Sequence, residues 1–216
     1  GQLGEEVVHE RPMLSLDKCY TGEDLEAWAA KFDGEVMVTP KLDGIACSLR
    51  YDGSGRLTLA ATRGDGRAGD NITRNARTIG EIVTRLPGAG PCEVRGEIYM
   101  RLSVFRSFSE QFSNPRNLTA GAIKHKDPRR CREYRLSFSA YDLLGVEVAS
   151  EQDKLQRLEA LGFPALEHRL VGKDELRAGY EHFASARSSL DFEIDGVVFK
   201  ANRRDEQQRL GATAHH

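Results

Sequence analysis

One segment of the chain constrains the fold more than any other. From residue 45 to residue 51, every second residue is apolar or aromatic: Ile45, Cys47, Leu49 and Tyr51. Alternation of this kind predicts a half-buried β-strand. A turn sequence, Asp52-Gly53-Ser54-Gly55, and a second strand-like segment at 57–62 follow. The two segments therefore predict an antiparallel hairpin.

Further strand-like segments lie at 35–39, 92–100, 138–142 and 192–200, and helical ones at 71–82, 151–161, 174–186 and 204–210. Ser150 is a good N-cap for the second helix, which should end at Gly162. Strands outnumber helices and do not alternate regularly with them. The sequence therefore predicts an α+β fold of antiparallel β-sheets flanked by helices, and not a doubly wound fold.

Composition narrows the classes of function. Of 216 residues, 39% are hydrophobic and 30% charged, which is ordinary for a globular domain, and no segment has the pattern of a membrane span or signal peptide. A net charge of −2 excludes a surface that is basic throughout. Six positive charges between Lys124 and Arg135 form either a local nucleic-acid patch or a solvated loop. The four cysteines include no CxxC pair, so a local zinc site and a disulfide framework are not expected, and a reducing, cytoplasmic setting is.

A first candidate for chemistry is Lys41-Leu42-Asp43-Gly44, which we expect on the tight connection between two strands. A lysine attacks phosphorus only after its ammonium loses a proton, which requires burial or a nearby cation. Taken alone, four residues of this kind more often form a hairpin loop with a surface lysine.

Two strands carry further polar candidates. In the strand at 92–100, period two places Glu93, Arg95 and Glu97 on one face, which is either an exposed edge or a polar site in which a carboxylate holds a ribose hydroxyl or a hydrated magnesium ion. In the last strand, Asp195 and Lys200 are five residues apart and would face opposite sides. If both serve one site, Gly196 must allow a bulge; otherwise the lysine extends to solvent.

The loop at 62–70 contains GxGxxG, the pattern of dinucleotide-binding folds. Its context does not fit that reading, because the preceding strand is not a long apolar segment and no acidic residue ends a second strand about twenty residues later. We expect the glycines instead to allow the backbone to approach a ligand or a DNA phosphate, with Arg63 and Arg67 supplying positive charge.

Together these segments resemble the NAD-dependent DNA ligases of the covalent nucleotidyltransferase superfamily. The matching segments, in the family's order and spacing, are MLSLD (13–17), KLDG (41–44), ATRGDG (61–66), EVRGE (93–97), NPRN (114–117), IDGVVFK (194–200) and LGAT (210–213). The resemblance extends from about residue 9 to the end of the chain. It implies one adenylation domain over residues 1–216, with an ATP-grasp-like DNA ligase fold.

The resemblance also implies a reaction and its residues. Lys41 would take AMP from NAD, releasing nicotinamide mononucleotide, for later transfer to the 5′-phosphate of nicked DNA in bacterial replication and repair. The implied catalytic residues are Lys41, Asp43, Arg116, Asp195 and Lys200. The implied nucleotide-binding residues are Ser15, Leu16, Thr39, Arg63, Glu97, Tyr141, Arg187 and Val198. Glu97 and Asp195 would hold Mg²⁺ or Mn²⁺, nicked double-stranded DNA would be the partner, and a monomer is expected.

The sequence departs from the family pattern in three ways. Thr39 stands where the family usually has glutamate, and Lys124 where it usually has arginine, which keeps the charge but loses the bidentate fork. The family's nicotinamide-binding module and its oligonucleotide-binding, zinc, helix-hairpin-helix and BRCT modules would lie outside this sequence, so we expect an excised domain. Thr39 and the missing nicotinamide-binding module leave open an ATP-dependent or RNA-directed ligase that uses the same lysine. A nucleotide-binding module without catalysis is a further alternative, against which Lys41, Glu97, Asp195 and Lys200 together argue.

Overall fold

The computed structural model describes residues 5–13, 22–88, 90–108, 110 and 112–210. Its strands are β1 (Glu6–Val8), β2 (Val36–Leu42), β3 (Ile45–Tyr51), β4 (Leu57–Thr62), β5 (Ala68–Asp70), β6 (Cys92–Tyr99), β7 (Ser137–Leu144), β8 (Arg169–Val171) and β9 (Ile194–Ala201). Its α-helices are α1 (Gly22–Ala29), α2 (Thr73–Ala76), α3 (Leu102–Phe105), α4 (Pro115–Ile123), α5 (Pro128–Glu133), α6 (Glu151–Ala160), α7 (Leu176–Ala186) and α8 (Arg204–Arg209). Single 3₁₀ turns lie at Lys173–Glu175 and Arg187–Ser189.

The strands form antiparallel sheets, as predicted. A four-stranded sheet has the order β4-β3-β6-β7, a three-stranded sheet the order β8-β2-β9, and β1 pairs with β5. The predicted hairpin is β3 and β4, in which Cys47 lies opposite Thr62 and Leu49 opposite Ala60. The α+β prediction is confirmed.

Each of the two larger sheets has its own apolar core. The four-stranded sheet packs with helices α2, α4, α5 and α6, which contribute buried residues such as Ala76, Leu118, Cys131 and Leu155. The three-stranded sheet packs against α1 and α7 through Trp28 and Phe183, among others. In the described part of the chain, every helix falls short of the length and apolar character that crossing a bilayer requires.

The chain passes directly from one sheet to the other at Asp43-Gly44, between β2 and β3. Gly44 is required at this crossing, because a Cβ atom there would collide with the carbonyl oxygen of Ile98 on β6. Our expectation for Lys41 was wrong in detail: it lies within β2, one residue before the strand ends, rather than on the connection. Its backbone is therefore held by the sheet.

Two helix predictions had different outcomes. Ser150 caps α6 by accepting a hydrogen bond from the backbone N–H of Asp153, and Gly162 follows that helix with φ of 106°, both as predicted. The helix predicted at 71–82 is wrong beyond Ala76, because the chain continues in tight turns with i→i+3 hydrogen bonds. The Thr78 hydroxyl bonds the Asn75 carbonyl, and β-branched residues and glycine favour α-helix weakly here.

Candidate active site

A cavity of about 340 Å³ opens where the two sheets meet. Strands from both sheets, the loop after β4 and helix α4 contribute to its walls. Its charged lining residues are Lys41, Asp43, Arg63, Asp70, Glu97, Arg116, Lys124, Asp195 and Lys200. The concentration of charge from distant segments in one cavity is typical of a site for a charged ligand.

Lys41 lies beside Asp195 in this cavity. The Lys41 Nζ is 3.9 Å from an Asp195 carboxylate oxygen, and the side chains are 24% and 41% exposed. Lys41 is thus accessible from the cavity but is not a freely solvated surface lysine. An amine in this position can reach a ligand and can pass a proton to a neighbouring carboxylate.

A bulge in β9 brings Asp195 and Lys200 to the same cavity. Pro40 of β2 lies opposite Val197, whereas Leu42 lies opposite Ile194, so β9 carries one extra residue at this point. Gly196 lies in this interval with φ of 151°, a conformation that glycine tolerates and other residues rarely adopt. The predicted bulge at Gly196 is confirmed.

Glu97 is the most strongly perturbed acid of the cavity. Burial, then the neighbouring Asp195 carboxylate and, more weakly, Asp43 raise its pKa from 4.5 to about 8, against the opposing effects of Arg63 and Arg116. Three carboxylates thus repel one another across one cavity. A cation or a proton in the cavity would relieve that repulsion.

Arg116 and Lys124 extend from opposite ends of α4, which Asn114 caps at its start. The Arg116 Nε donates to the Gly44 carbonyl oxygen at 3.2 Å and lies 3.6 Å from Asp43. At the other end, Lys124 forms a 3.1 Å ion pair with Asp70. The Arg116 side chain is 56% exposed and that of Lys124 58%, so a ligand anion could reach both, although each is already paired with a carboxylate.

One wall of the cavity suits a flat, partly apolar ligand. The Lys200 Nζ lies 6.0 Å from the centre of the Tyr141 ring, which also lines the cavity. Val198, Leu166 and Ile123 add apolar surface, and Thr39 adds a hydroxyl. A nucleobase could pack on such a wall while its phosphates face the charged residues.

Comparison with known proteins identifies the family. The family model for the NAD-dependent DNA ligase adenylation domain matches residues 4–216. The chain belongs to this family. It is 40% identical over 242 aligned positions to the DNA ligase of Sinorhizobium medicae, covering 97% of this chain and 34% of that protein. The Cereibacter sphaeroides DNA ligase is also 40% identical, over 240 positions, covering 99% of this chain and 34% of the relative. The chain therefore spans about a third of the length of these relatives.

Solved structures support the fold of this ligase-family domain. An archaeal ATP-dependent RNA ligase superposes with a TM-score of 0.59 at 16% identity, over 90% of this chain and 46% of the other. A second form of it gives a TM-score of 0.58. At this identity the likeness establishes a shared fold.

Ten of the thirteen residues that the sequence assigned to the site line the cavity. They are Thr39, Lys41, Asp43, Arg63, Glu97, Arg116, Tyr141, Asp195, Val198 and Lys200. Ser15 and Leu16 lie outside the described residues. Arg187 does not line the cavity; it follows α7, and its guanidinium donates to the Ile194 carbonyl oxygen at 2.6 Å. The roles of all these residues stay predictions.

Sequence reasoning missed several residues of the ligase-domain cavity. Asp70, Ser139 and Leu166 line it although no motif indicated them. Asp70 is the last residue of β5, the short strand that comes directly after the glycine-rich turn; because a strand and not a helix follows that turn, the dinucleotide-binding reading is excluded. The sequence signal that could have indicated Asp70 is a carboxylate placed shortly after a glycine-rich turn. Leu166 lies in an irregular segment after α6, and nothing in its local sequence points to the site.

Proposed function

We propose that this domain transfers AMP from NAD to Lys41. The Lys41 amine attacks the α-phosphorus, an N–P bond forms, and the bond to nicotinamide mononucleotide breaks, the leaving group departing with the electron pair. The ammonium proton passes to a cavity carboxylate or to water. The observation that carries this proposal is the position of Lys41, partly exposed, 3.9 Å from Asp195, and in the same cavity as Glu97, Arg116 and Lys200.

The cavity's charges suit phosphoryl transfer, which depends on positioning and on dispersed positive charge around the phosphate oxygens. We assign Lys200 and Arg116 to the phosphates and the Tyr141 wall, with Val198 and Thr39, to the adenine. Arg63 and Glu97 are assigned to the ribose.

We assign a magnesium site, which manganese could also fill, to Glu97 and Asp195. Burial and then the Asp195 carboxylate raise the pKa of Glu97 to about 8, and a cation held by both carboxylates would relieve their repulsion. Within the described residues no group of three or more metal-ligating side chains occurs, and Mg²⁺ commonly takes only one or two carboxylates, with water and substrate phosphates completing its shell. Such an ion would neutralise phosphate charge.

Nicked double-stranded DNA is the proposed acceptor of the AMP group. All six basic residues of the sequence patch are exposed on or near α5: Lys124, Lys126, Arg129, Arg130, Arg132 and Arg135. Ion pairs with Asp70 and Asp127 occupy Lys124 and Arg129, and Arg135 donates to the Ser107 hydroxyl oxygen. Among the residues that the structure describes, this leaves Lys126, Arg130 and Arg132 to contact phosphates. A monomer in a reducing cytoplasm is the proposed setting, which would preserve the free thiols of Cys47, Cys92 and Cys131.

Intact mass spectrometry tests the reaction directly. We expect the protein incubated with NAD and Mg²⁺ to gain the mass of one AMP, and Lys41→Ala to gain nothing while keeping its circular dichroism spectrum. Covalent AMP on the Lys41→Ala protein would reject Lys41 as the nucleophile.

An ATP-dependent relative is the second candidate, favoured by Thr39, which stands where the family usually has glutamate. Parallel incubations with NAD and with ATP separate the two candidates. Attachment of AMP from ATP but not from NAD would refute the use of NAD.

A further inference from the structure

A buried lysine that does not line the cavity has no role in the proposed reaction. Lys154, on α6, is 8% exposed, and its Nζ lies 2.9 Å from both Asp142 Oδ1 and Glu151 Oε1. Burial alone would lower the pKa of Lys154, but the two carboxylates outweigh it and raise the pKa. The lysine is therefore charged and joins two carboxylates from different elements.

One of these carboxylates adjoins the aromatic wall of the cavity. Asp142 follows Tyr141 on β7, at a point where Arg95 of β6 lies opposite Asp142 and Gly96 opposite Ala140. Tyr141 is thus the extra residue of a bulge, and strand pairing alone does not fix its position. The ion pair of Asp142 with Lys154 anchors the strand directly beside it.

The other carboxylate is tied to the strand end that carries Lys200. Glu151 Oε1 accepts from Gln207 Nε2 at 2.8 Å, and the same amide donates to the Ala201 carbonyl oxygen. The Glu151 backbone N–H also donates to the Asn202 carbonyl oxygen at 2.7 Å. Ala201 and Asn202 directly follow Lys200, so Lys154 connects the neighbour of Tyr141 to the neighbours of Lys200.

Electrostatics link Lys200 to the same carboxylates. Burial raises the pKa of Glu151, but Lys200 and then Lys154 outweigh it, so the net shift is downward. The pKa of Asp142 is also lowered overall: burial raises it, but Lys154 and then Lys200 outweigh that effect. Without Lys154, both buried carboxylates would have Lys200 as their main cation. The ammonium would then be drawn towards them and away from a ligand in the cavity.

We propose that Lys154 is a positioning residue for Lys200: it neutralises Asp142 and Glu151 and joins their strands, so that the Lys200 ammonium stays directed at a nucleotide phosphate. This inference rests on the proposed function, in which Lys200 contacts the phosphates. Lys154 itself touches no substrate.

A double-mutant cycle tests this role. We expect Lys154→Met to slow lysyl-AMP formation at saturating NAD and to weaken AMP binding, by roughly 10- to 100-fold for a displaced phosphate contact. In a Lys200→Ala background, the same substitution should have little further effect. Lys154→Arg, which keeps the charge, should restore most of the rate. Arg157→Met, on the exposed side of the same helix, is the matched control and should leave the rate unchanged.

If Lys154→Met slowed lysyl-AMP formation by the same factor with Lys200 present and with Lys200→Ala, the proposal would be overturned, because Lys154 would then act on stability alone. Should Lys154→Met fail to fold, Gln207→Ala removes the link between Glu151 and the Ala201 carbonyl and should show the same dependence on Lys200. If the unmodified protein neither binds AMP nor forms lysyl-AMP, the proposed function fails. If the unmodified protein binds AMP and forms lysyl-AMP, and Lys154→Met does so with the same affinity and rate, only the positioning role fails.

Discussion

The raised pKa of Glu97 makes the stability of the ligand-free protein depend on pH in a defined direction. Burial and the nearby Asp195 carboxylate raise this pKa from 4.5 to about 8. The folded state therefore holds the proton more tightly than the unfolded state does. Between those two values, folding becomes less favourable as pH rises, and above about 8 the loss is complete. Glu97→Gln keeps the neutral shape and should remove this loss.

The size of the effect follows from the shift. Each pKa unit corresponds to about 1.4 kcal/mol, so the full shift is equivalent to about 5 kcal/mol at high pH. Glu97 is only partly shielded, since it lines an open cavity, and water there screens part of the repulsion. We therefore expect Glu97→Gln to be more stable than the unmodified protein by about 2–3 kcal/mol at pH 9. The two should converge near pH 4.

Urea unfolding without divalent cations measures this difference. Trp28, the single tryptophan, is 7% exposed and reports unfolding by fluorescence. Both proteins should be compared at pH 4, 6.5 and 9, so that the other titrating groups contribute nearly equally. Adding Mg²⁺ at pH 9 should stabilise the unmodified protein more than Glu97→Gln. A stability difference that is the same at pH 4 and pH 9 would refute the reasoning.

Three further predictions concern other parts of the molecule. Gly44→Ala places a methyl group against the Ile98 carbonyl oxygen, so we expect a loss of about 2 kcal/mol or more in urea unfolding, and an unchanged midpoint would contradict that contact. Gly196→Ala forces a side chain into a backbone with φ of 151°, and it should cost about 1–3 kcal/mol and slow adenylation, whereas Gly53→Ala, where a Cβ meets no atom within 4 Å, should do neither. Replacing Lys126, Arg130 and Arg132 by serine should reduce the salt dependence of nicked-DNA binding by about 0.9 per lost phosphate contact, while AMP attachment to Lys41 stays unchanged; an unchanged salt slope would remove α5 from the DNA interface.

The features that the sequence predicted well are those whose causes are local. Alternation places β3, and the serine cap and following glycine bound α6, because each depends on residues within a few positions. The prediction of a helix at 71–82 was wrong beyond Ala76, because apolar spacing does not distinguish a helix from successive tight turns that bury the same side chains. Ile79 and Ile82 are buried although they lie in such turns. Helix α4 was not predicted, although Asn114 and Pro115 form a recognisable start.

The site itself was predictable only in part, and for a different reason. Residues within recognisable motifs, such as Lys41 and Glu97, were found from the sequence. Leu166 reaches the cavity through tertiary packing, which local sequence does not encode. Arg187, which the family resemblance placed by the leaving group, does not line the cavity; its guanidinium donates to the Ile194 carbonyl oxygen of β9, and its role stays a prediction.

The cavity depends on departures from regular strand geometry. In an unbroken β9, Asp195 and Lys200 would project to opposite faces, because they are five positions apart, and only the extra residue at Gly196 brings both to one side. The bulge at Tyr141 likewise interrupts the pairing of β6 and β7 at the cavity wall. Each irregularity loses sheet pairing, so each needs support from elsewhere. Gly196 tolerates the unusual backbone, and beside Tyr141 the ion pair of Asp142 with Lys154 supplies that support. A side chain that never meets the ligand can therefore govern how well the cavity binds one.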